Sequence, residues 1–162
     1  MSQQNSGQMI KPSDALRRRV GGGARLTAID PAIIAKAEAA LKSLSGNFGQ
    51  WLNDEVERLE ASRQLVKTDG VTVATMESLY LRAHDLKGLG ATYGFPLITR
   101  IAGLLCRLID DKDKRLEAPM SLIDAHIDAI KAAVRDDIKG EDHPVGRMLV
   151  QELERRIREL GA

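Results

Sequence analysis

From Asp30 almost to the end of the chain, apolar residues recur three or four positions apart and nowhere alternate one by one. That period is the signature of amphipathic helices, and the missing period-2 pattern leaves no candidate strand. A chain patterned this way throughout buries its apolar residues by packing helix on helix. Asp30-Pro31 starts the first run, an N-cap acid ahead of proline at the first helical position. Ile33, Ala37, Leu41, Leu44, Phe48, Trp51, Leu52, Val56, Leu59 and Val66 then follow at helical spacing. The pattern keeps its phase across Gly46 and Gly49, so one helix with a kink is expected there, closed by the turn "KTDGVT".

A second helix is expected from about Val73 to Thr92, with Gly94 as its stop. Pro96 opens a third, carrying Leu97, Ile101, Leu104, Leu105 and Leu108 and ending in the charged run "DDKDKR". Pro119 opens a fourth, with Ile123, Ile127, Ile130, Val134 and Ile138 up to Gly140, and a last runs from about Pro144 to Leu160. The short connections predict antiparallel neighbours in an all-α bundle.

Residues 1–28 differ in kind. They are polar and glycine-rich, with Arg17, Arg18 and Arg19 before Gly21, Gly22 and Gly23. Such a stretch buries too little apolar surface to offset its ordering entropy, which predicts a flexible basic tail ahead of one helical domain over 29–162. Aromatic residues make up only 3% of the chain, so its core has to come from Leu, Ile, Val, Ala and Met. The net charge of +1 offers no field for nucleic acid or an anionic membrane. Cys106 is the only cysteine and sits in the apolar helical setting "GLLCRLI", so neither a disulfide nor a metal cluster is expected. No stretch reaches the length of a membrane span, and "MSQQNSGQMIKPSDALRRRVGGG" lacks the apolar core of a signal peptide, which makes the cytoplasm the expected location.

The second helix contains an anomaly, "LRAHDLKGLGATYGFP", residues 81–96. Gly88 and Gly90 inside a helix cost about 2 kcal/mol together relative to alanine. On a helical wheel, Met76, Leu79, Tyr80, Ala83, Leu86 and Gly90 form the apolar arc. Gly90 in that arc lets another helix approach closely. His84 lies outside the arc, with Gly88 one turn further on the same outer face, Ala91 completing the strip and Leu81 at its side. Lys87 falls on the other side, its stem against the core edge and its ammonium free to swing toward the ring. An exposed imidazole with a cation nearby and bare backbone in front suits a transient anion.

The segment "AHDLKGLGATYGFPLITRIAGLLCRLI" resembles the signature of histidine-containing phosphotransfer domains. In that family a helix bears a phosphorylatable histidine, with lysine three and glycine four residues later, and a further glycine ten residues on turns the chain into the next helix. His84, Lys87, Gly88 and Gly94 occupy those positions. The resemblance implies an antiparallel four-helix bundle, here with an additional C-terminal helix and the N-terminal tail. It implies a phosphoryl carrier rather than a stand-alone enzyme. His84 would accept the group from a receiver-domain aspartate of a two-component phosphorelay and pass it to a second receiver. Lys87 would offset phosphoryl charge and Gly88 would give access, while Leu81, Ala91 and Asp85 would contribute to docking. The implied partners are response-regulator receivers and a hybrid or sensor histidine kinase. The implied magnesium belongs to the receiver, leaving this chain without cofactor or metal.

Two other readings differ in their requirements. A histidine kinase dimerisation fragment would follow its histidine with an acidic residue, as Asp85 does, then a proline kink, and would need a nucleotide-binding domain; Lys87, Gly88 and the missing glycine-rich ATP-binding region argue against it. A helical adaptor related to the same domains would bind a receiver without taking the phosphoryl group. His126, within "LIDAHIDAI", and His143, in "GEDHP", read as structural residues. Arg100 and Arg107, one heptad apart, read as a solvated face.

Overall fold

The computed structural model describes residues 29–161, so the expected tail 1–28 lies outside the described residues. All regular elements among them are helical: α1 Pro31–Asp69, α2 Val73–Leu89, α3 Pro96–Ile109, a short 3-10 turn Arg115–Glu117, α4 Met120–Arg135 and α5 Pro144–Glu159. The chain's contacts divide it after Ala40, within α1, and the two parts are taken separately.

In the first part, Asp30 caps α1 as its sequence requires, with Oδ1 accepting the Ala32 N–H at 2.9 Å. The apolar residues that follow are uncovered, and Ile33 is 60% exposed.

In the second part, α1 continues through Gly46 and Gly49 without a break. Its covered face begins only at Leu52 and runs through Val56, Leu59, Ser62, Arg63 and Val66. The expected apolar stripe is thus half realised, for Leu41, Leu44 and Trp51 remain exposed. Capping is stronger on α2, where the Thr72 hydroxyl accepts the Thr75 N–H and the Thr75 hydroxyl accepts the Thr72 N–H.

Pairwise contacts set the helix directions. Ser62 meets Ser78 at 3.2 Å while the Phe48 and Tyr93 rings lie 5.5 Å apart, so α1 and α2 run antiparallel. Tyr80 donates to Asp110 at 3.0 Å, and Thr99 sits against Gly90, which makes α2 and α3 antiparallel as well. Ions join α1 to α4. Arg63, almost fully buried, reaches Asp128 at 2.7 Å and Asp124 at 3.5 Å and also pairs with Glu60, which Lys131 meets at 3.1 Å. Burial works against ionisation of Glu60, but hydrogen bonds from Gln64, Arg63 and Lys131 outweigh it and hold the carboxyl down to about 2. Leu86, Ile98, Ile101, Leu105, Ile123, Ile127 and Ile130 fill the space between the helices, with α5 adding Val150, Leu153 and Ile157.

Two helices stop short of their expected ends. α2 stops at Leu89 rather than Thr92, because Gly94 (φ 87°) reverses the chain and the Phe95 N–H returns to the Gly90 carbonyl at 2.8 Å. α4 stops at Arg135 rather than Ile138, because Asp137 adopts φ 54° and the Ile138 N–H bonds back to Ala133 at 2.8 Å. Ile138 still buries its side chain, which is why it keeps the helical phase.

His126 is wholly buried, Nδ1 donating to the Leu122 carbonyl at 2.8 Å and Nε2 without a partner. Burial pushes its pKa below the ordinary 6.5 against the opposing pull of that carbonyl. The unfolded chain therefore binds the proton more readily, so this group's stabilisation is whole above about pH 6.5 and declines as pH falls below it. A His126→Leu chain should match or exceed the wild type in urea midpoint at pH 7, since it removes an unpartnered polar atom. Its advantage should grow toward pH 5. A pH-independent difference between the two would show that the imidazole does not titrate on unfolding.

Candidate functional site

The outward face of α2 carries His84, Leu81 and Gly88, all exposed, with Asp85 half-buried beside them. The opposite face packs Met76, Leu79, Ala83 and Leu86 into the core, which fixes which way the imidazole points. Tyr80, one turn earlier, places its ring 6.1 Å from that of His84. The tyrosine is itself anchored. Its hydroxyl donates to Asp110, and the Arg115 guanidinium lies 4.4 Å over its ring. Arg115 is buried, its Nε donating to the Ile109 carbonyl at 2.6 Å and its Nη1 pairing with Glu77.

The glycine inside α2 and the one that caps it differ as their wheel positions predict. A Cβ on Gly88 would meet nothing within 4 Å. A Cβ on Gly90 would lie 2.7 Å from the Thr99 backbone nitrogen, 2.8 Å from its Oγ1 and 3.1 Å from the Phe95 carbonyl. Gly90 therefore admits the first turn of α3 against the end of α2, and Thr99 Oγ1 accepts the Ala91 N–H at 2.7 Å across that contact. Ala91 is exposed, but in the turn beyond the helix rather than on the helical strip where the wheel puts it. Gly94 supplies the left-handed residue of the same turn.

Lys87 is exposed, and its Cγ comes 4.0 Å from where a Cβ on Gly103 would stand. Its stem thus rests on α3 at a residue with no side chain of its own. Burial pushes the nearby Cys106 thiol up to about 11, against the opposing charge of Lys87. Asp85 forms an i,i+3 pair with Arg82 at 3.4 Å.

Sequence reasoning missed Tyr80 as a neighbour of the imidazole, Gly103 as the seat of the lysine and Thr99 as the latch on Gly90. Tyr80 sits four residues before His84, a spacing that signals contact on a helix. Gly103 was a costly interior glycine like the two in α2. Thr99 gave no local signal, because its role depends on the returning turn. Arg115 was hidden in the run "DDKDKR", whose composition reads as solvated. His143 does more than flank α5: its Nδ1 accepts the Val145 N–H at 3.2 Å as the cap. Arg100 is paired with Glu154, whereas Arg107 is exposed.

Among the described residues no cluster of His, Cys, Asp and Glu could hold a metal ion, and no helix is long and apolar enough to cross a membrane. No family model matches the chain, and neither a curated protein nor a solved structure matches it.

Proposed function

We propose that the chain is a histidine phosphotransfer carrier of a two-component phosphorelay, with His84 as the residue phosphorylated. One observation carries the reading. An exposed imidazole stands on a rigid helix beside open backbone at Gly88, while the lysine three residues on is seated against α3 at Gly103. α1 from Leu52, α2, α3 and α4 would form the four-helix bundle of such carriers, with α5 packed against α3 and α4 as an addition to it.

In the proposed step, the Nε2 lone pair of neutral His84 attacks the phosphorus of a receiver aspartyl phosphate. The N–P bond forms as the P–O bond breaks, and the aspartate leaves as carboxylate. In the second transfer another receiver's aspartate oxygen forms the new P–O bond as the N–P bond breaks, the electron pair returns to Nε2, and the imidazole proton stays on Nδ1 throughout. Phosphoryl transfer needs chiefly positioning and charge stabilisation. The receiver brings the magnesium ion and its acidic cluster. This chain brings the nucleophile, its orientation against Tyr80 and the Lys87 ammonium.

The test is incubation of the purified chain with a phosphorylated receiver carrying labelled phosphate. Label should pass to the chain and prove acid-labile and base-stable, and ATP alone should give none. A chain that binds the receiver but takes no label is an adaptor. Lys87→Ala should fold normally, because its ammonium is exposed, and should slow transfer in both directions. A partly solvated cation is worth about 1–2 kcal/mol on a phosphoryl group, or roughly 5- to 30-fold in rate. Unchanged transfer kinetics would make Lys87 a surface cation only.

A further inference from the structure

A side chain on a helix leans toward the helix N-terminus, so the surface it covers belongs to the turn before its own. For His84 that surface includes Tyr80, whose ring centre lies 6.1 Å from the imidazole at an interplanar angle of 42°, a normal aromatic contact. On the C-terminal side Gly88 carries no side chain, and a Cβ there would meet nothing within 4 Å. The imidazole thus has a flat support behind it and open space ahead. Such a support orients the ring only if it is fixed itself, and Tyr80 is fixed twice. Its hydroxyl donates to Asp110 at 3.0 Å, and the Arg115 guanidinium lies 4.4 Å over its ring. That guanidinium has little freedom of its own. Nε donates to the Ile109 carbonyl at 2.6 Å, Nη2 to the Asp110 carbonyl at 3.3 Å, and Nη1 pairs with Glu77. These carbonyls stand at the end of α3, where the helix dipole favours a cation, and Arg115 is only 3% exposed.

We propose that Tyr80, held by Arg115 and Asp110, is a positioning residue for His84, confining the imidazole to one rotamer before any receiver arrives. The inference deepens the proposed phosphoryl transfer and rests on it for its kinetic part alone. Transfer needs Nε2 facing phosphorus in line with the departing oxygen. An unsupported histidine on a helix spreads over about two χ1 wells and two ring orientations, so about one conformer in four presents the nitrogen correctly. Holding the ring in that conformer raises the transfer rate roughly fourfold and leaves receiver binding as it was. The network is also indirect. Arg115 stands in the link between α3 and α4, outside the helix that bears the histidine, and reaches the imidazole only through the tyrosine ring.

Tyr80→Leu and Tyr80→Phe in the full chain test this. Tyr80 is partly buried against the core and both replacements keep apolar cover there, so circular dichroism should report the same helical fold for all three chains. Nuclear magnetic resonance reads the rotamer from the three-bond couplings between Hα and the two Hβ protons of His84. The wild type and Tyr80→Phe should each give one large and one small coupling, as a single rotamer does, whereas Tyr80→Leu should give two of intermediate size. With a labelled phosphorylated receiver as donor, Tyr80→Leu should lower the saturating transfer rate about fourfold at an unchanged half-saturating concentration, and phenylalanine should restore it. Averaged couplings in the wild type, or a single rotamer kept in Tyr80→Leu, overturn the proposal. Failure of phenylalanine to restore the single rotamer overturns it too, since the ring face is what the imidazole meets. A raised half-saturating concentration with the saturating rate unchanged overturns it as well, by making Tyr80 a docking residue. Should no chain take label, the proposed function fails, and the couplings still decide whether Tyr80 holds the ring.

Discussion

A His84→Gln chain should take no label from a phosphorylated receiver, a loss of at least about a thousandfold, as when an enzyme's nucleophile is removed. Glutamine keeps a polar side chain of similar reach, but its amide nitrogen has no lone pair free for phosphorus. The fold should not notice the change. His84 is exposed, glutamine is the better helix former, and surface substitutions of this kind stay within about 0.5 kcal/mol. Matching melts for the two chains, with label lost only from the variant, would separate chemistry from folding. His126→Leu and chains altered at His143 should label normally, since one ring is buried and the other caps α5. Labelling of the His84→Gln chain at the wild-type rate would falsify the proposed function.

The second large effect divides Gly88 within α2 from Gly90 at its C-cap. Gly90→Leu places a branched side chain where a Cβ alone already meets the Thr99 backbone nitrogen at 2.7 Å. Backbone cannot swing aside like a side chain, so α2 and the start of α3 must part, at about 3 kcal/mol, the upper range for overpacking. Gly88→Gln should do the opposite. Its Cβ enters open space on an exposed helix, so stability should hold or rise by up to about 1 kcal/mol. Transfer should nevertheless fall at least about tenfold, through the barrier added where a receiver must reach the ring. Thermal melts and relay assays on both chains decide it. Should Gly88→Gln unfold while Gly90→Leu loses only transfer, the face assigned to His84 would be the wrong one.

Helix number and order were legible because periodicity and punctuation agree. Asp30-Pro31, Pro96, Pro119 and Pro144 stand at or beside helix starts, and Gly94 ends the α2 turn. The faces of α2 were legible too, since a wheel needs only the helix and its phase. Less visible was everything that depends on a partner far along the chain. Nothing near Arg63 announces that a buried arginine will find Asp124 and Asp128 some sixty residues later. Nor does local spacing tell a covered stripe from an uncovered one, which is why Leu41 and Leu44 share the helical spacing of Val56 and Leu59 and yet stay exposed. The end of α4 was misplaced because Asp137 takes a left-handed conformation that glycine usually signals.

The ionic clasp between α1 and α4 bears on how the chain would behave in acid. Glu60 remains a carboxylate well below the ordinary 4.5, so its hold on Arg63 and Lys131 is intact above that pH and gives way as pH falls toward about 2. Losing that one charge would release Lys131 from α1 and leave Arg63 to the aspartates of α4 alone. The joint would slacken in steps rather than part at a stroke, since its two cations do not depend on the same set of carboxylates.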